Sequence, residues 1–331
     1  EGLEFVVATD HNVVVDYAGT LDRMGLHRFL RSAIGLELTT IDRGHFNGYP
    51  LRLSKDAFQL DKDGAVVNNT ATRTFGSYQW VGRTPQQMFD DMRALGLPSL
   101  VPIVQVDHPR DPVMGYFTSY GVDQESLLPH LKPFPLSIDP ELRPEFAPEV
   151  FSWDFDALEI LNGKNYEMLH NFVVPAGVFE DPVSGCQLSP GEVMRDWQKT
   201  DVNQDGELEC VPGAIAYPGA AEDWFAILST GKRIIGTANS DSHDPENNEP
   251  GTPSNYVRVA KDIPDLVSPT EIADGVRGGD LLMTNGPFLR VRAKGDGDAV
   301  VGMGGSLVAS PPTAQGGHVR VQIDLQSAPW V

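Results

Sequence analysis

The chain has 331 residues, 40% of them hydrophobic and 21% charged, the composition of an ordinary globular protein with length for one large domain and part of another. Its 46 acidic residues against 25 basic ones give a formal net charge of −21, which argues against electrostatic gripping of nucleic acid or an anionic membrane. Bound cations would neutralise part of that charge. No run approaches the roughly 18–20 apolar residues of a membrane-spanning helix, and no signal peptide is visible. The chain opens at Glu1 without Met and stops at Trp330-Val331, directly after an alternating strand. It therefore reads as an internal fragment, with sequence missing at both ends.

Leu3 to Ala8 is a short buried-strand run ending in Thr9-Asp10-His11-Asn12. Leu21, Met24, Leu26, Phe29 and Leu30 recur near helical spacing. A second strand-like run, Ile34-Gly35-Leu36, leads into Glu37-Leu38-Thr39-Thr40 and then Gly44-His45-Phe46-Asn47-Gly48. Thr84-Pro85 marks a helix start, an N-cap followed by proline in the first turn, and the helix should reach Leu95-Gly96. Ser99 to Val106 is an apolar strand that ends in Asp107-His108-Pro109-Arg110, and a Pro-rich excursion follows over 111–150. Asp156 to Leu161 is a further strand, ending in Asn162-Gly163. Helices are expected from Ser189-Pro190 to about Gln198, from Ala220 to Thr230, and from Ser268-Pro269 to Gly278-Gly279.

Between the last two helices lies Arg233-Ile-Ile-Gly-Thr-Ala-Asn-Ser-Asp-Ser-His243, an apolar run that breaks into polar residues. Asp241 and His243 are two positions apart, so in extended backbone both side chains point to the same side, where they can grip one metal ion or two neighbouring ions. Strands alternating with helices, each apolar run ending in ligand-type residues, predict a parallel α/β architecture with its active face at the C-terminal strand ends. After Thr284-Asn285-Gly286-Pro287 the texture changes. Phe288–Arg292 and Val319–Leu325 alternate apolar and polar with period two, the pattern of antiparallel strands with one wet face and the start of a β-sandwich-like domain.

Of the eight histidines, His11, His45, His108 and His243 sit just beyond apolar runs beside other ligand-type groups. Each alone is readily a histidine bonded to a neighbouring loop; four converging on one rim, with Glu37 and Asp241, are harder to explain as packing. His27, His130, His170 and His318 receive no ligand role. Together, Thr9-Asp10-His11-Asn12, Gly35-Leu36-Glu37-Leu38-Thr39, His45, Asp107-His108-Pro109, Leu158-Glu159-Ile160-Leu161-Asn162-Gly163 and Asn239-Ser240-Asp241-Ser242-His243 resemble the polymerase-and-histidinol-phosphatase (PHP) superfamily. The Gly44-His45 form and the Thr284-Asn285-Gly286-Pro287 passage look most like its carbaryl-hydrolase-like branch.

The resemblance covers residues 1–287 and implies a distorted (β/α)7 barrel with a two- or three-metal site of Zn, Mn or Fe, followed by a partial β-rich domain over 288–331. Carried onto this chain, it implies that His11 binds one outer metal with His243, that Asp241 holds that metal, that Glu37 bridges two metals, and that His45 and His108 complete a second position. The family's opening His-x-His motif has no counterpart, and it is expected on a strand upstream of Glu1. Clustered divalent ions acidify a bridging water and bind the anionic oxygens of a phosphate or carbonyl group, and a carboxylate such as Glu37 can give one oxygen to each ion. Glu37 and His108 are thus the expected catalytic centre. Arg110 follows in the same Asp107-His108-Pro109-Arg110 run, as a guanidinium fork for a substrate phosphate or carboxylate, or as a surface salt-bridge arginine. Asp10, Glu159 and Asn162 are expected to orient the ligands from behind.

An insert over about 175–219 carries a second cation signal. Asp201-Val-Asn203-Gln-Asp205-Gly206 has the spacing of the front half of a calcium loop, with Glu207 and Glu209 nearby, but Pro212 stands where a bidentate Glu is expected. It is either a calcium loop or a solvated acidic turn. Cys186 and Cys210 bracket it, and a disulfide between them would close a loop of about 25 residues and contribute roughly 3 kcal/mol. That pairing favours a periplasmic or extracellular location over a cytoplasmic one.

The function expected from all this is a metal-dependent hydrolase of small phosphomonoesters or phosphodiesters. A carboxylic or carbamic ester hydrolase using the same centre is the alternative, and a non-catalytic metal- or ligand-binding module is the competing class. Neither nucleic acid nor a membrane is expected as a partner.

Overall fold

In a computed structural model the residues described are 2–53, 78, 80–111, 114–130, 147–175, 179–180, 187–188, 214–243, 249–310 and 317–328. Strands β1 (Phe5–Ala8) and β2 (Arg31–Ile34) pair in parallel, with α1 (Ala18–Arg23) between them. The central sheet has five strands: β3 (Leu36–Thr39), β4 (His45–Tyr49), β5 (Ile103–Asp107), β6 (Ala157–Asn162) and, beyond the short strands β7 (Phe172–Pro175), β8 (Phe179–Glu180), β9 (Gln187–Leu188) and β10 (Ala214–Tyr217), β11 (Ile235–Asn239). Their spatial order is β11-β6-β5-β4-β3. The mixed α/β class agrees with the sequence reading, but the described strands form separate sheets and no closed barrel.

The sheet also departs from all-parallel pairing, because β4 runs antiparallel to both β3 and β5. The cause is chain length: only residues 40–44 join β3 to β4, and a parallel crossover needs a dozen or more. The reversal helps the site. The ends of β3, β5, β6 and β11 and the beginning of β4 all reach the same edge of the sheet, and the register places Thr39 opposite His45 and His45 opposite Asp107.

Period-two alternation then divides the sheet into two faces. Leu36, Leu38, Phe46, Val104, Val106, Leu158 and Ile160 lie in the main apolar core with Met88, Phe89 and Met92 of α2 (Pro85–Ala94). Phe46 meets Phe89 and Tyr116 edge-to-face at ring separations of 5.0 Å, and Tyr116 stacks on Phe151 at 4.6 Å. Each such buried aromatic contributes about 1.5–3 kcal/mol. The alternate residues Glu37, Asn47, Gln105, Asp107, Glu159, Thr237 and Asn239 line a cavity of about 750 Å³ on the other face. A second apolar cluster of Tyr49, Ile103, Ala157, Ile235, Ala273 and Val276 lies on the same side of the sheet.

The helix signals were legible. Thr84 closes a reciprocal capping box with Gln87 at the start of α2, and Ser268 accepts from the Glu271 amide at the start of α5 (Pro269–Gly278), which ends on left-handed Gly279. Helix α4 (Ala220–Ser229) also matches its expected span. Helix α3 (Tyr116–Ser119) falls in the Pro-rich excursion, and the helix expected from Ser189 lies outside the described residues. No described helix is long and apolar enough to cross a membrane.

Strand β12 (Ser254–Val257) pairs with β13 (Leu281–Thr284), and the C-terminal part is an antiparallel sheet of β14 (Phe288–Lys294), β15 (Val300–Val301) and β16 (Arg320–Gln326). Its antiparallel pairing is as expected, but β16 is exposed along its whole length, so both of its faces are wet among the described residues, where one wet face was expected.

Gly44 sets the direction of β4 just before the proposed ligand His45. It has φ of +101°, and a Cβ there would meet the Tyr116 backbone and Cβ at 2.7–3.1 Å. Gly44→Ala should therefore lose about 2 kcal/mol or more of stability, read as a lower urea midpoint at unchanged slope.

Candidate metal centre

Glu37, His45 and His108 come together at the strand-end edge of the central sheet. All three are buried, and each offers one ligand atom within 4.8 Å of the others. His45 Nδ1 lies 2.8 Å from Glu37 Oε1 and 3.1 Å from His108 Nε2. His45 Nε2 lies 3.0 Å from the Thr40 carbonyl, which can only accept, so this nitrogen carries a proton and Nδ1 is the atom turned toward the carboxylate. Either a proton or a metal cation can join Nδ1 to the carboxylate there. The His108 Nδ1 atom is buried without a hydrogen-bond partner. A buried carboxylate and two imidazoles in this arrangement suit a divalent transition ion.

A second group stands beside the first and is more exposed. His11 Nε2 is 3.0 Å from His243 Nε2, and His11 Nδ1 is 2.6 Å from Thr39 Oγ1 and 3.4 Å from Glu37 Oε2. Glu37 therefore lies between the two groups, one oxygen toward each, as a bridging carboxylate would. Asp241 lies beside His243, with Oδ1 3.4 Å from His243 Nδ1. All six residues expected as ligands are thus gathered along one edge.

The backbone places them from behind. His11 forms an isolated parallel bridge with Glu37, and the next residue, left-handed Asn12, exchanges two hydrogen bonds with the Thr39 backbone at 2.9 and 3.0 Å. His108 and Asp241 also have positive φ, 28° and 50°, as the chain turns sharply off β5 and β11. Glu159 Oε2 accepts the His108 amide at 2.6 Å and the Asn162 side chain at 2.9 Å, and Asn162 also reaches Asp241 at 3.4 Å. The Asp10 carboxylate accepts instead from the Tyr17 hydroxyl at 2.8 Å, and its backbone carbonyl accepts the Glu37 amide at 3.2 Å.

Arg110 is a correction. Its guanidinium is buried, and its fork donates to both oxygens of buried Asp223 at 2.5 and 2.6 Å and to the Val122 carbonyl at 2.9 Å. It is neither a surface arginine nor open to a substrate. Two residues after His108 the chain has already turned into the core, where Phe117 packs 5.4 Å from the guanidinium.

The sequence reading assigned no role to Thr40, Asn239, Asp107 or Lys164. Asn239 donates to Glu159 Oε1 at 2.9 Å, and Asp107 accepts from Gln105 and Asn47 at 2.7 and 2.9 Å. Lys164 lies 2.5 Å from His243 Nδ1. Position just beyond a strand end would have found Lys164 and Thr40. The cavity-facing role of Asp107 needs the strand register. Asp201, Asn203, Asp205, Glu207 and Glu209 of the expected calcium loop, and Cys186 and Cys210, lie outside the described residues.

Comparison with protein-family models, with curated proteins and with solved structures found no match for this chain.

Charge in the centre is uneven. Burial pushes the Glu37 carboxyl up, but hydrogen bonds from His11 and His45, with their charges, outweigh it and hold it well below the usual carboxylate range. The Glu37 hydrogen bond raises His11 against the opposing effect of burial, while burial and neighbouring His45 lower His108. Burial raises Asp107, reinforced by the charges of Glu159 and Glu37. It also pushes Glu159 from 4.5 up to about 7, despite hydrogen bonds from Asn162, Asn239 and the His108 amide. A carboxyl raised on folding binds more protons in the folded state between its unfolded and folded values, so its contribution to stability falls as pH rises through that interval.

Two outcomes follow. The metal-free protein should lose stability between about pH 4.5 and 7 through Glu159, and Glu159→Gln should flatten that slope by about 1–3 kcal/mol in urea titrations at each pH. Arg110→Met should destabilise by about 3–5 kcal/mol, because it leaves Asp223 buried and unpaired, and Mn²⁺ affinity measured below the unfolding midpoint should be unchanged.

Proposed function

We propose that the chain is a metal-dependent hydrolase of the PHP type, in which Glu37, His45 and His108 hold one divalent ion and His11, Asp241 and His243 a second, with Glu37 shared. The observation that carries this reading is the buried meeting of Glu37 with two imidazoles, one of which turns Nδ1 at the carboxylate from 2.8 Å. Ions held there would supply a Lewis acid and an acidified water. The chain's own residues fix the ligands: Thr40 orients the His45 ring, Glu159 holds the His108 backbone, and Asn162 braces Asp241. The distorted (β/α)7 barrel belongs to this reading. Its support is the set of four strand ends that meet at one edge beside a polar cavity. Nitrogen and carboxylate donors suit Zn, Mn or Fe.

The substrate proposed is a small phosphomonoester or phosphodiester, whose anionic oxygens the two cations would hold. One observation favours a carboxylic or carbamic ester instead: Arg110, the expected anion fork, is committed to Asp223. A neutral ester makes less demand on positive charge.

Protein loaded with Mn²⁺ or Zn²⁺ should turn over p-nitrophenyl phosphate or p-nitrophenyl acetate, and the ratio of the two rates separates the substrate classes. His108→Ala and His45→Ala should lower metal affinity by more than the roughly 10–100-fold that follows loss of an outer-shell partner, and should abolish turnover. Stable metal binding without turnover of either ester would favour the non-catalytic binding module.

A further inference from the structure

Lys164 brings a positive charge against two of the proposed ligands. It follows β6 in a loop fixed to the end of β11. The Asn162 side-chain oxygen accepts the amides of Lys164 and Asn165 at 2.8 and 3.0 Å, and the Gly163 amide donates to the Asn239 carbonyl at 2.9 Å. Any Cβ on Gly163 would stand 2.5 Å from the Ser240 carbonyl, so this contact needs glycine. From that loop the Lys164 ammonium reaches His243 Nδ1 at 2.5 Å and Asp241 Oδ1 at 3.6 Å, with a third of its side chain exposed.

The contact with His243 is incompatible with a metal ion on the same residue. An ammonium only donates, so His243 Nδ1 must accept from it. If a divalent ion takes His243 through Nδ1, it occupies the place of the ammonium and repels it. If the ion takes Nε2, which faces His11, then Nδ1 must carry the ring proton, and it has the Asp241 carbonyl at 2.9 Å to donate to. In both cases Lys164 loses the His243 nitrogen, and an ion on Asp241 competes for the carboxylate oxygen 3.6 Å away as well. Its four-carbon stem lets it swing, and no lysine or arginine is among the described residues lining the cavity.

We propose that metal binding at His11, Asp241 and His243 releases Lys164, and that the freed ammonium takes an anionic oxygen of a phosphate-ester substrate. The lysine would act as a charge stand-in before loading and as a substrate-positioning residue afterwards. This inference rests on the two-metal reading above and selects the phosphate class within it.

The test uses the whole chain, Mn²⁺ and the non-hydrolysable probe phenylphosphonate, with calorimetry rather than turnover as the readout. Lys164→Met should bind Mn²⁺ several-fold more tightly, because a competing cation is gone. It should bind phenylphosphonate about tenfold more weakly once loaded, as expected for loss of one charge-assisted hydrogen bond. Opposite shifts of that kind would not come from a merely structural lysine. Lys164→Arg should keep most of the phenylphosphonate affinity. In the wild type, acylation of Lys164 by acetic anhydride, followed by mass spectrometry, should rise with Mn²⁺ and fall again on adding phenylphosphonate. Equal phenylphosphonate affinity in Lys164→Met and wild type, with Mn²⁺ bound to both, would overturn the lysine's role and leave the metal centre standing. Failure of the wild type to bind Mn²⁺ at all would overturn both.

Discussion

The constraint on which this structure turns is the Glu37 carboxylate, buried between imidazoles. Burying a charge is tolerable only when something of opposite sign or a set of donors accompanies it. Here His11 and His45 stand on its two oxygens at 3.4 and 2.8 Å, and the Thr40 carbonyl orients the nearer ring so that Nδ1 faces the carboxylate. Within the described residues this gathers a carboxylate and several ring nitrogens at one largely buried point. A cation is the simplest partner that satisfies all of them together. The neighbouring elements hold that arrangement against relaxation: Asn12 clamps Thr39, and Glu159 pins the His108 backbone.

How one edge of a sheet gathers so many polar groups follows from alternation and one chain reversal. Each central strand carries apolar residues on one face, packed around Phe46, Phe89 and Tyr116, and polar residues on the other. Because β4 runs back against β3 and β5, its first residue arrives where its neighbours end, and His45 joins Thr39 and Asp107 in one row. Left-handed backbone at Gly44, His108 and Asp241 turns the chain sharply at that row. Two of these three are not glycine, so local strain is concentrated where the proposed ligands sit, as is common where side-chain placement matters more than local stability.

Much of this was legible in the residues. The rule that ligand-type side chains follow apolar runs singled out His11, His45, His108 and His243, with Glu37 and Asp241 beside them, while the ligand roles came from the resemblance; His45 in fact opens β4 and Glu37 lies within β3. Helices α2 and α5 announced themselves through Thr84-Pro85 and Ser268-Pro269. What failed was long-range. Nothing local in Gly44-His45 says that β4 runs antiparallel; that depends on the brevity of the preceding loop. Nothing around Arg110 names Asp223, 113 residues away, as the partner of its fork. Wet or dry faces in β16 depend likewise on what packs against it, and alternation alone cannot report that.

The Arg110 result changes the electrostatics of the cavity as a whole. Glu37, Asp107, Glu159 and Asp241 all line it, and the arginine beside the centre is turned away into a buried pair. An anionic substrate entering such a space would meet acidic walls, in a chain whose formal charge is already −21. Favourable binding of an anion would therefore require positive charge that the described cavity walls do not supply, and ions bound at the proposed centre would have to provide most of it. Metal content would then govern affinity as well as rate, since without the ions the same walls repel a phosphate. A neutral ester would feel that difference far less, so the dependence of substrate binding on metal is itself a measure of substrate charge.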